Sequence, residues 1–326
     1  MNSPRVSIIT ACHTFERIKD LGELLDSIGA QLYPNIETWL VSDGPDELYN
    51  TLEEYVQKKG YQDIQVLCHQ GDSGISGSRN MAIRHATGEI IAFCDDDAVP
   101  VPEWAEQIVN TYNDDSFVIG VTGPVIPLWE QENMSWFPQE FYWIFSCTSG
   151  DITEKRKVRN GYGTNLSFLR EAFELTGLLN EGLGVRKLVR GIWNRPGAEE
   201  TEFSLRVQQK TGKHIIYNPD VKVAHKVYRY RLTMSFITHR AYWEGYAKAL
   251  LSSSYRSSKG EDSILSTEYQ LLRRILYKLI PKTVKLIARN PLLALRRLWI
   301  TFVILSCIAA GYFSGWLSQF FGRKTL

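Results

Sequence analysis

The stretch GDSGISGSRNMAIRHATGEIIAFCDDDAVPVPEWAEQIV, residues 71–109, runs through a glycine-rich approach, a helical segment, a turn, an apolar strand and an acidic cluster. The segment after Gly77 to His85 has helical spacing, Gly88 and Glu89 make the turn, and residues 89–94 form a strand that ends in Asp95, Asp96 and Asp97. Towards the N-terminus, residues 64–68 read as a strand, 47–59 as a helix and 36–42 as a strand. Residues 18–32 then read as a helix through Ile18, Leu21, Leu24, Leu25 and Ile28, and 6–10 as a strand. Strand and helix alternate, the pattern of an α/β fold with a parallel sheet. In such sheets ligands sit beyond the carboxyl ends of the strands. Three of those ends carry polar groups: Thr10, the pair Asp43 and Gly44, and the triple aspartate.

Three consecutive carboxylates repel one another unless a cation or hydrogen-bond donors compensate, and hard oxygen ligands suit Mg2+ or Mn2+. By spacing alone the run fits an acidic surface turn ahead of Pro100 and Pro102 equally well. The 326 residues carry a net charge of +1, with 44% hydrophobic and 22% charged side chains, which excludes a strongly basic nucleic-acid binder as a whole-chain reading. The charge is divided unevenly. No Asp or Glu follows Glu268, so residues 269–326 hold +10, whereas residues 1–268 set 27 Lys and Arg against 36 acids. Cys12, Cys68, Cys94, Cys147 and Cys307 are an odd set without a CxxC spacing, so neither a disulfide framework nor a thiolate zinc site is indicated, and a reducing cytoplasmic setting is expected. The N-terminal MNSPRVSIIT lacks the charged start and long apolar run of a cleaved signal peptide.

With these residues in view, the stretch 71–109 resembles the core of a family 2 glycosyltransferase of the GT-A fold, with its Arg-Asn pair, Gly-Glu turn and Asp-x-Asp motif. VSIITACHTFER (6–17), WLVSDGPDE (39–47), GYGTNLSFLREAFELTGLLNEGLG (161–184) and GAEETEFSLRV (197–207) extend the similarity over roughly residues 4–230. The resemblance implies a GT-A (nucleotide-diphospho-sugar transferase) Rossmann-like sheet, and it assigns residues. Thr10, Ala11, Cys12 and Asp43 fall where the family holds nucleobase and ribose, with Ser42 in place of the first acid of that turn. Arg79 and Asn80 are the Arg-Asn pair on the donor side, and Asn165 lies in the segment that resembles the sugar-binding strand. Asp95 and Asp97 are the Asp-x-Asp acids on the donor and its metal, Asp96 is the middle position, and His225 completes a metal site with Asp97 and Asp95. A neutral imidazole suits Mn2+ better than Ca2+. The catalytic base maps to Glu200, which stands where the family usually has Asp, with Glu199 as the second candidate. A carboxylate in a first helical turn is stabilised by unpaired backbone N–H groups.

The tail points to a membrane. Residues 298–322 hold 25 positions without a charge, enough for a helix to span a bilayer core. Arg289, Arg296 and Arg297 precede this run, Arg323 and Lys324 follow it, and Trp299 and Trp316 stand near its ends. The heavier basic side is N-terminal, which predicts a single-pass protein with its catalytic domain cytoplasmic. Upstream, Leu271, Leu272, Ile275, Leu276, Leu279 and Ile280 recur at helical spacing with Arg273, Arg274 and Lys278 between them until Pro281 interrupts, a pattern that suits an anionic membrane surface as well as a solvated basic face. Gly311 and Gly315 form a GxxxG spacing compatible with a homodimer. The expected division is a catalytic domain over 1–230, a basic helical extension over 231–297 and a transmembrane helix over 298–322.

The reaction implied is inverting transfer of a sugar from a nucleotide-sugar donor, a UDP-sugar first among them, to a glycan or lipid-linked acceptor, with Mn2+ or Mg2+ as cofactor. The arrangement resembles membrane-associated members that extend polyprenyl- or dolichyl-linked glycans, including glucuronosyltransferases acting on glucosyl-dolichyl phosphate. A Gln-x-x-Arg-Trp signature of processive synthases is not found. A catalytically silent membrane scaffold is the second reading, resting on Ser42 and Glu200. A nucleotidyltransferase ranks last, because ACHTFERIK lacks a glycine-rich phosphate loop.

Overall fold

The computed structural model describes residues 3–71, 74–130, 134–183, 197–255 and 266–321. The N-terminal half alternates as its apolar spacing predicts: β1 (Val6–Cys12), α1 (Ile18–Gly29), β2 (Ile36–Ser42), α2 (Asp46–Lys59), β3 (Ile64–Cys68), α3 (Gly74–His85) and β4 (Ile90–Phe93). Leu21, Leu24, Leu25 and Ile28 of α1 are all buried, one face of the helix. The helix ends at Gly29, short of the expected residue 32. α2 carries Asp46 and Glu47 in its first turn and Lys58 and Lys59 in its last, and stops at Gly60, whose φ of 69° lies in the left-handed region.

The remaining elements are β5 (Ala98–Pro100), α4 (Trp104–Asp114), β6 (Val118–Thr122), β7 (Val125–Trp129), β8 (Arg156–Val158), β9 (Leu166–Leu169), α5 (Arg170–Thr176), α6 (Glu199–Thr211), β10 (His214–Tyr217) and β11 (Val223–Val227), followed by α7 (Met234–Ser254), α8 (Ser266–Arg274), α9 (Ile280–Leu286) and α10 (Pro291–Phe321). Eight strands form a mixed sheet in the order β3-β2-β1-β4-β9-β6-β10-β8, and β5, β11 and β7 form a smaller one. β1 to β4 are parallel, whereas β9 runs antiparallel between β4 and β6. β4 (IIAF) and β9 (LSFL) are buried at every position, as expected of central strands covered on both faces.

The chain divides into two compact units, one of residues 1–126 and 152–226, the other of residues 127–151 and 227–326. This departs from the expected single cut at 230, because residues 127–151 group with the C-terminal part. The expected boundary at 297/298 also falls inside one continuous helix, α10.

In the first unit, Glu37 ties the amino ends of the strands together. Its buried carboxylate accepts from Ser7 Oγ (2.5 Å), Thr87 N (2.6 Å), Thr87 Oγ1 (3.0 Å) and Gly88 N (3.2 Å). Gly88 admits no side chain there, since a Cβ would stand 2.5 Å from the Arg5 carbonyl oxygen.

In the second unit, α8 passes through a π-helical turn (Ile275–Leu279) directly into α9, with Pro281 at the junction. α10 is 31 residues long with a mean hydropathy of 1.9 over its most apolar stretch, long and apolar enough to cross a membrane. Gly322, Arg323 and Lys324, the expected end of the span and its C-terminal basic flank, lie outside the described residues. The Gly311 and Gly315 face lies against α7: a Cβ on Gly311 would meet the Tyr242 carbonyl oxygen, and one on Gly315 would stand 2.8 Å from that of Tyr246. The spacing read as a self-association motif therefore serves packing within the chain.

Candidate active site

The carboxyl ends of β1, β2 and β4 carry Thr10 to Cys12, Asp43 and the three aspartates, all within the first unit. β1 is longer than expected, so Thr10, Ala11 and Cys12 lie inside it, and the register pairs Cys12 with Ser42 and Thr10 with Leu40. Thr10 and Ser42 therefore share one face of the sheet. Both are buried, and Thr10 Oγ1 and Ser42 Oγ have no hydrogen-bond partner among the described residues. Leaving such a hydroxyl unmet costs about 1–3 kcal/mol. Asp43, the next residue, hydrogen-bonds His69 Nδ1 through Oδ1 (3.1 Å), and Ser78 Oγ lies 3.4 Å from the same nitrogen.

The aspartate run splits three ways. Asp96 is buried towards Cys12, whose thiol is pushed up to about 12 by burial first and by the Asp96 charge second. Asp95 faces Arg79 and Thr164: Arg79 Nη2 donates to Oδ1 (3.0 Å) and Thr164 Oγ1 donates to Oδ2 (2.5 Å). Asp97 lies between Arg17, whose Nη1 is 2.8 Å from Oδ2, and His225, whose Nε2 is 3.2 Å from Oδ1. His225 is in β11, which pairs antiparallel with β5 directly after the aspartates, with His225 opposite Ala98. Lys226, next along the strand, is anchored on α1 by Asp20 (2.8 Å) and Glu23 (2.6 Å).

One ligand atom from each of Asp95, Asp97 and His225 lies within 4.8 Å of the other two. Two ligands sharing a Mg2+-sized ion stand at most about 4.2 Å apart, so the cluster fits such an ion with a small contraction. The two carboxylates suit either Mn2+ or Mg2+, and the imidazole favours Mn2+ of the two.

Glu199 begins α6, with Glu200 and Glu202 in the same turn. Arg79 Nη1 donates to Glu200 Oε1 at 2.8 Å, so one guanidinium links Glu200 to Asp95. Arg79 also lies 5.1 Å from the Phe93 ring centroid. Burial opposes its charge, but Glu200, then Asp95 and Glu199, outweigh this and hold the guanidinium above its usual range. Glu199 is buried, whereas Glu200 is partly exposed.

Two expected donor residues are turned to the interior instead. Asn80 exchanges hydrogen bonds with the backbone of Leu179 (2.9 and 3.0 Å) and donates to Glu181 Oε1 (3.0 Å), fixing α3 to the loop after α5. Asn165 accepts from Trp104 Nε1 (2.9 Å) and donates to the carbonyls of Val221 (2.7 Å) and Pro124 (3.1 Å), so its amide knits three segments behind the site. Arg17 and His69 were missed as site residues, and Gly163 and Thr164 were seen only as part of the segment that resembles the sugar-binding strand. Each is polar or small beside a strand end, the one local signal available.

The Glycosyl transferase family 2 profile matches residues 7–176, from β1 to α5 and more than half of the chain. The chain belongs to that family. It is therefore a glycosyltransferase, and its acid cluster and Arg-Asn pair stand on the family's GT-A fold. It is 29% identical over 323 residues to the glucosyl-dolichyl phosphate glucuronosyltransferase of Haloferax volcanii, covering 98% of this chain and 99% of that one. The mannosyltransferase PcManGT of Pyrobaculum calidifontis, solved in complex with GDP-Man and Mn2+, matches with a TM-score of 0.66 at 17% identity, over 99% of this chain and 89% of that one. S. aureus TarS 1-349 matches with a TM-score of 0.52 at 15% identity, over 99% and 93%. At these identities the solved structures speak for the fold alone.

Proposed function

We propose that this family 2 glycosyltransferase is metal-dependent and inverting, and moves a sugar, a hexose or a uronic acid, from a nucleoside diphosphate donor, a UDP-sugar first among them, to a polyprenyl- or dolichyl-phosphate-linked acceptor at a membrane. The observation that carries the reading is the convergence of Asp95, Asp97 and His225 beside the Arg79–Glu200 pair. These three side chains would hold Mn2+ or Mg2+, which would supply positive charge against the departing diphosphate. Asp43, oriented by His69, and the carboxyl end of β1 receive the nucleoside. Glu200 takes the proton from the acceptor hydroxyl, and Arg79 holds its carboxylate in place until then. With Glu200 as base, the acceptor oxygen attacks the anomeric carbon as its bond to the diphosphate breaks, a single displacement that inverts the centre.

The acceptor class is supported by the full-length likeness to an enzyme named for glucosyl-dolichyl phosphate, and by the surface of the second unit. There Leu272, Leu276, Tyr277, Val284, Ile287 and Leu292 are exposed among Arg273, Lys278, Lys282 and Lys285. Arg296 Cζ lies over the Trp136 ring, 3.9 Å from its centroid, where the apolar stretch of α10 begins. Apolar side chains interleaved with uncompensated basic ones suit an anionic bilayer surface. In this reading α10 spans the membrane, and the basic residues before it keep the catalytic unit on the cytoplasmic side.

Glu200→Gln tests the reaction. In detergent, this variant is expected to bind donor and metal as the wild type does while losing transfer to a hydroxyl acceptor. Unchanged turnover would remove Glu200 from the role of base.

A further inference from the structure

Gly163 and Thr164 are adjacent in the loop before β9; Thr164 bonds Asp95 directly, whereas Gly163 lies against the Arg79–Glu200 pair. Thr164 Oγ1 donates to Asp95 Oδ2 at 2.5 Å, on the carboxylate oxygen that Arg79 does not use. Thr164 is 1% exposed, so its hydroxyl is shielded, while the Asp95 side chain keeps 32% exposure towards the site. Gly163 has no side chain where one would collide: a Cβ there would stand 2.7 Å from Arg79 Nη1, and closer still to Arg79 Nη2 and Glu200 Oε1. Arg79 has little freedom to withdraw, because Asp95 and the Phe93 ring hold it and its side chain is 5% exposed. The Glu200 side chain, 20% exposed, is the group that gives way.

We propose that Gly163 and Thr164 are positioning residues with separate tasks: Thr164 orients Asp95 for the cation and the donor diphosphate, and Gly163 leaves the space in which Arg79 holds Glu200 towards the acceptor. The proposal rests on the roles given above to Asp95 and Glu200. Neither residue touches the reacting atoms. A hydroxyl donating to a carboxylate oxygen fixes which way the other lone pairs of that carboxyl point, and this alignment sets how well it serves as a metal ligand. A methyl group between Arg79 and Glu200 shifts the carboxylate without removing its charge, and small misplacements of a base cost rate more than binding.

Two neighbouring residues should therefore give opposite kinetic signatures. Thr164→Val is expected to raise the Mn2+ concentration needed for half-maximal rate by about tenfold or more, the size of a hydrogen bond to a charged group, with kcat at saturating Mn2+ near that of wild type. Thr164→Ser keeps the hydroxyl and is expected to restore the wild-type value. Gly163→Ala is expected to lower kcat by at least about tenfold while the Mn2+ requirement and donor KM stay unchanged. Melting temperature and Mn2+ titration on the full-length protein in detergent accompany each assay, so that a folding loss is recognised as such. If both variants shift the same constant, or Thr164→Ser behaves as Thr164→Val, the division of tasks is wrong. Asp95→Asn and Glu200→Gln serve as controls: full activity in either overturns the underlying reading, whereas their loss together with no split between 163 and 164 overturns this proposal alone.

Discussion

Arg79 Nη1 lies 2.8 Å from Glu200 Oε1, across 121 positions of sequence, and the same guanidinium bonds Asp95. The group proposed to take the acceptor's proton and the group proposed to face the donor are thus indexed on one cation. An ammonium cannot serve both at once in that planar geometry. Arg79→Lys is expected to lower kcat/KM by about 10- to 100-fold, the loss of a charge-assisted hydrogen bond, although the charge is kept. Steady-state rates on the purified variant check this, and wild-type kcat/KM would show that charge alone suffices.

Arg17 sits 2.8 Å from Asp97, on the carboxylate placed in the metal site. With Asp20 only 3.6 Å from the same nitrogen, Arg17 compensates two acids in a buried position. Arg17→Gln removes that compensation and leaves a bound cation to supply it. The variant is expected to melt lower than wild type in EDTA and to gain more from added Mn2+ than wild type does. Thermal melts with and without metal decide the matter; an equal or smaller gain contradicts it.

Glu37 lies at the other end of the strands and bears on stability. Burial raises its pKa, but hydrogen bonds from Ser7, then the Thr87 backbone N–H, outweigh this and hold the carboxyl below its ordinary value of 4.5. A depressed carboxyl stabilises the fold above the unfolded value, and that contribution is lost as pH falls through the folded one. Glu37→Gln is expected to cost about 1–3 kcal/mol at neutral pH and to flatten the acid limb of the stability curve below pH 4.5. Denaturation followed from pH 7 to pH 3 tests both parts.

The packing of α7 on α10 depends on backbone approach at Gly245 and Gly311, where a Cβ would run into the carbonyl oxygens of Ile308 and Tyr242. Gly245→Leu is expected to lower the melting temperature in detergent, at a cost of about 1–3 kcal/mol or more, without changing the mass of the particle. A change of oligomeric state at unaltered stability would instead assign this glycine face to self-association.

How much of this was legible in the sequence follows from the range of the contacts. β1 to β4 and their helices were readable because apolar period and turn residues are local properties. Asp95, Asp97 and Glu200 were named from motif resemblance, and His225 likewise. Arg17, Thr164 and His69 were not given roles, because their partners lie 80, 69 and 26 positions away. Asn80 and Asn165 illustrate the converse. Both stand in motif segments, yet their amides are consumed by backbone and Trp104 contacts that no spacing reveals. The grouping of residues 127–151 with the C-terminal helices was equally hidden. Arg297 bonds the Ser135 carbonyl, and Arg274 bonds Ser149 and Asp151, pairings that only the folded chain brings about.

The central claim is that Asp95, Asp97 and His225 hold a divalent cation through which a nucleotide sugar is bound. Calorimetric titration of uridine, guanosine and thymidine diphosphate sugars into detergent-solubilised protein, with Mn2+ or with EDTA, tests it most directly when repeated on Asp97→Ala. The account predicts that one nucleotide class binds, only with metal, and that Asp97→Ala abolishes this binding. Equal affinity in EDTA, or wild-type affinity in Asp97→Ala, would contradict it.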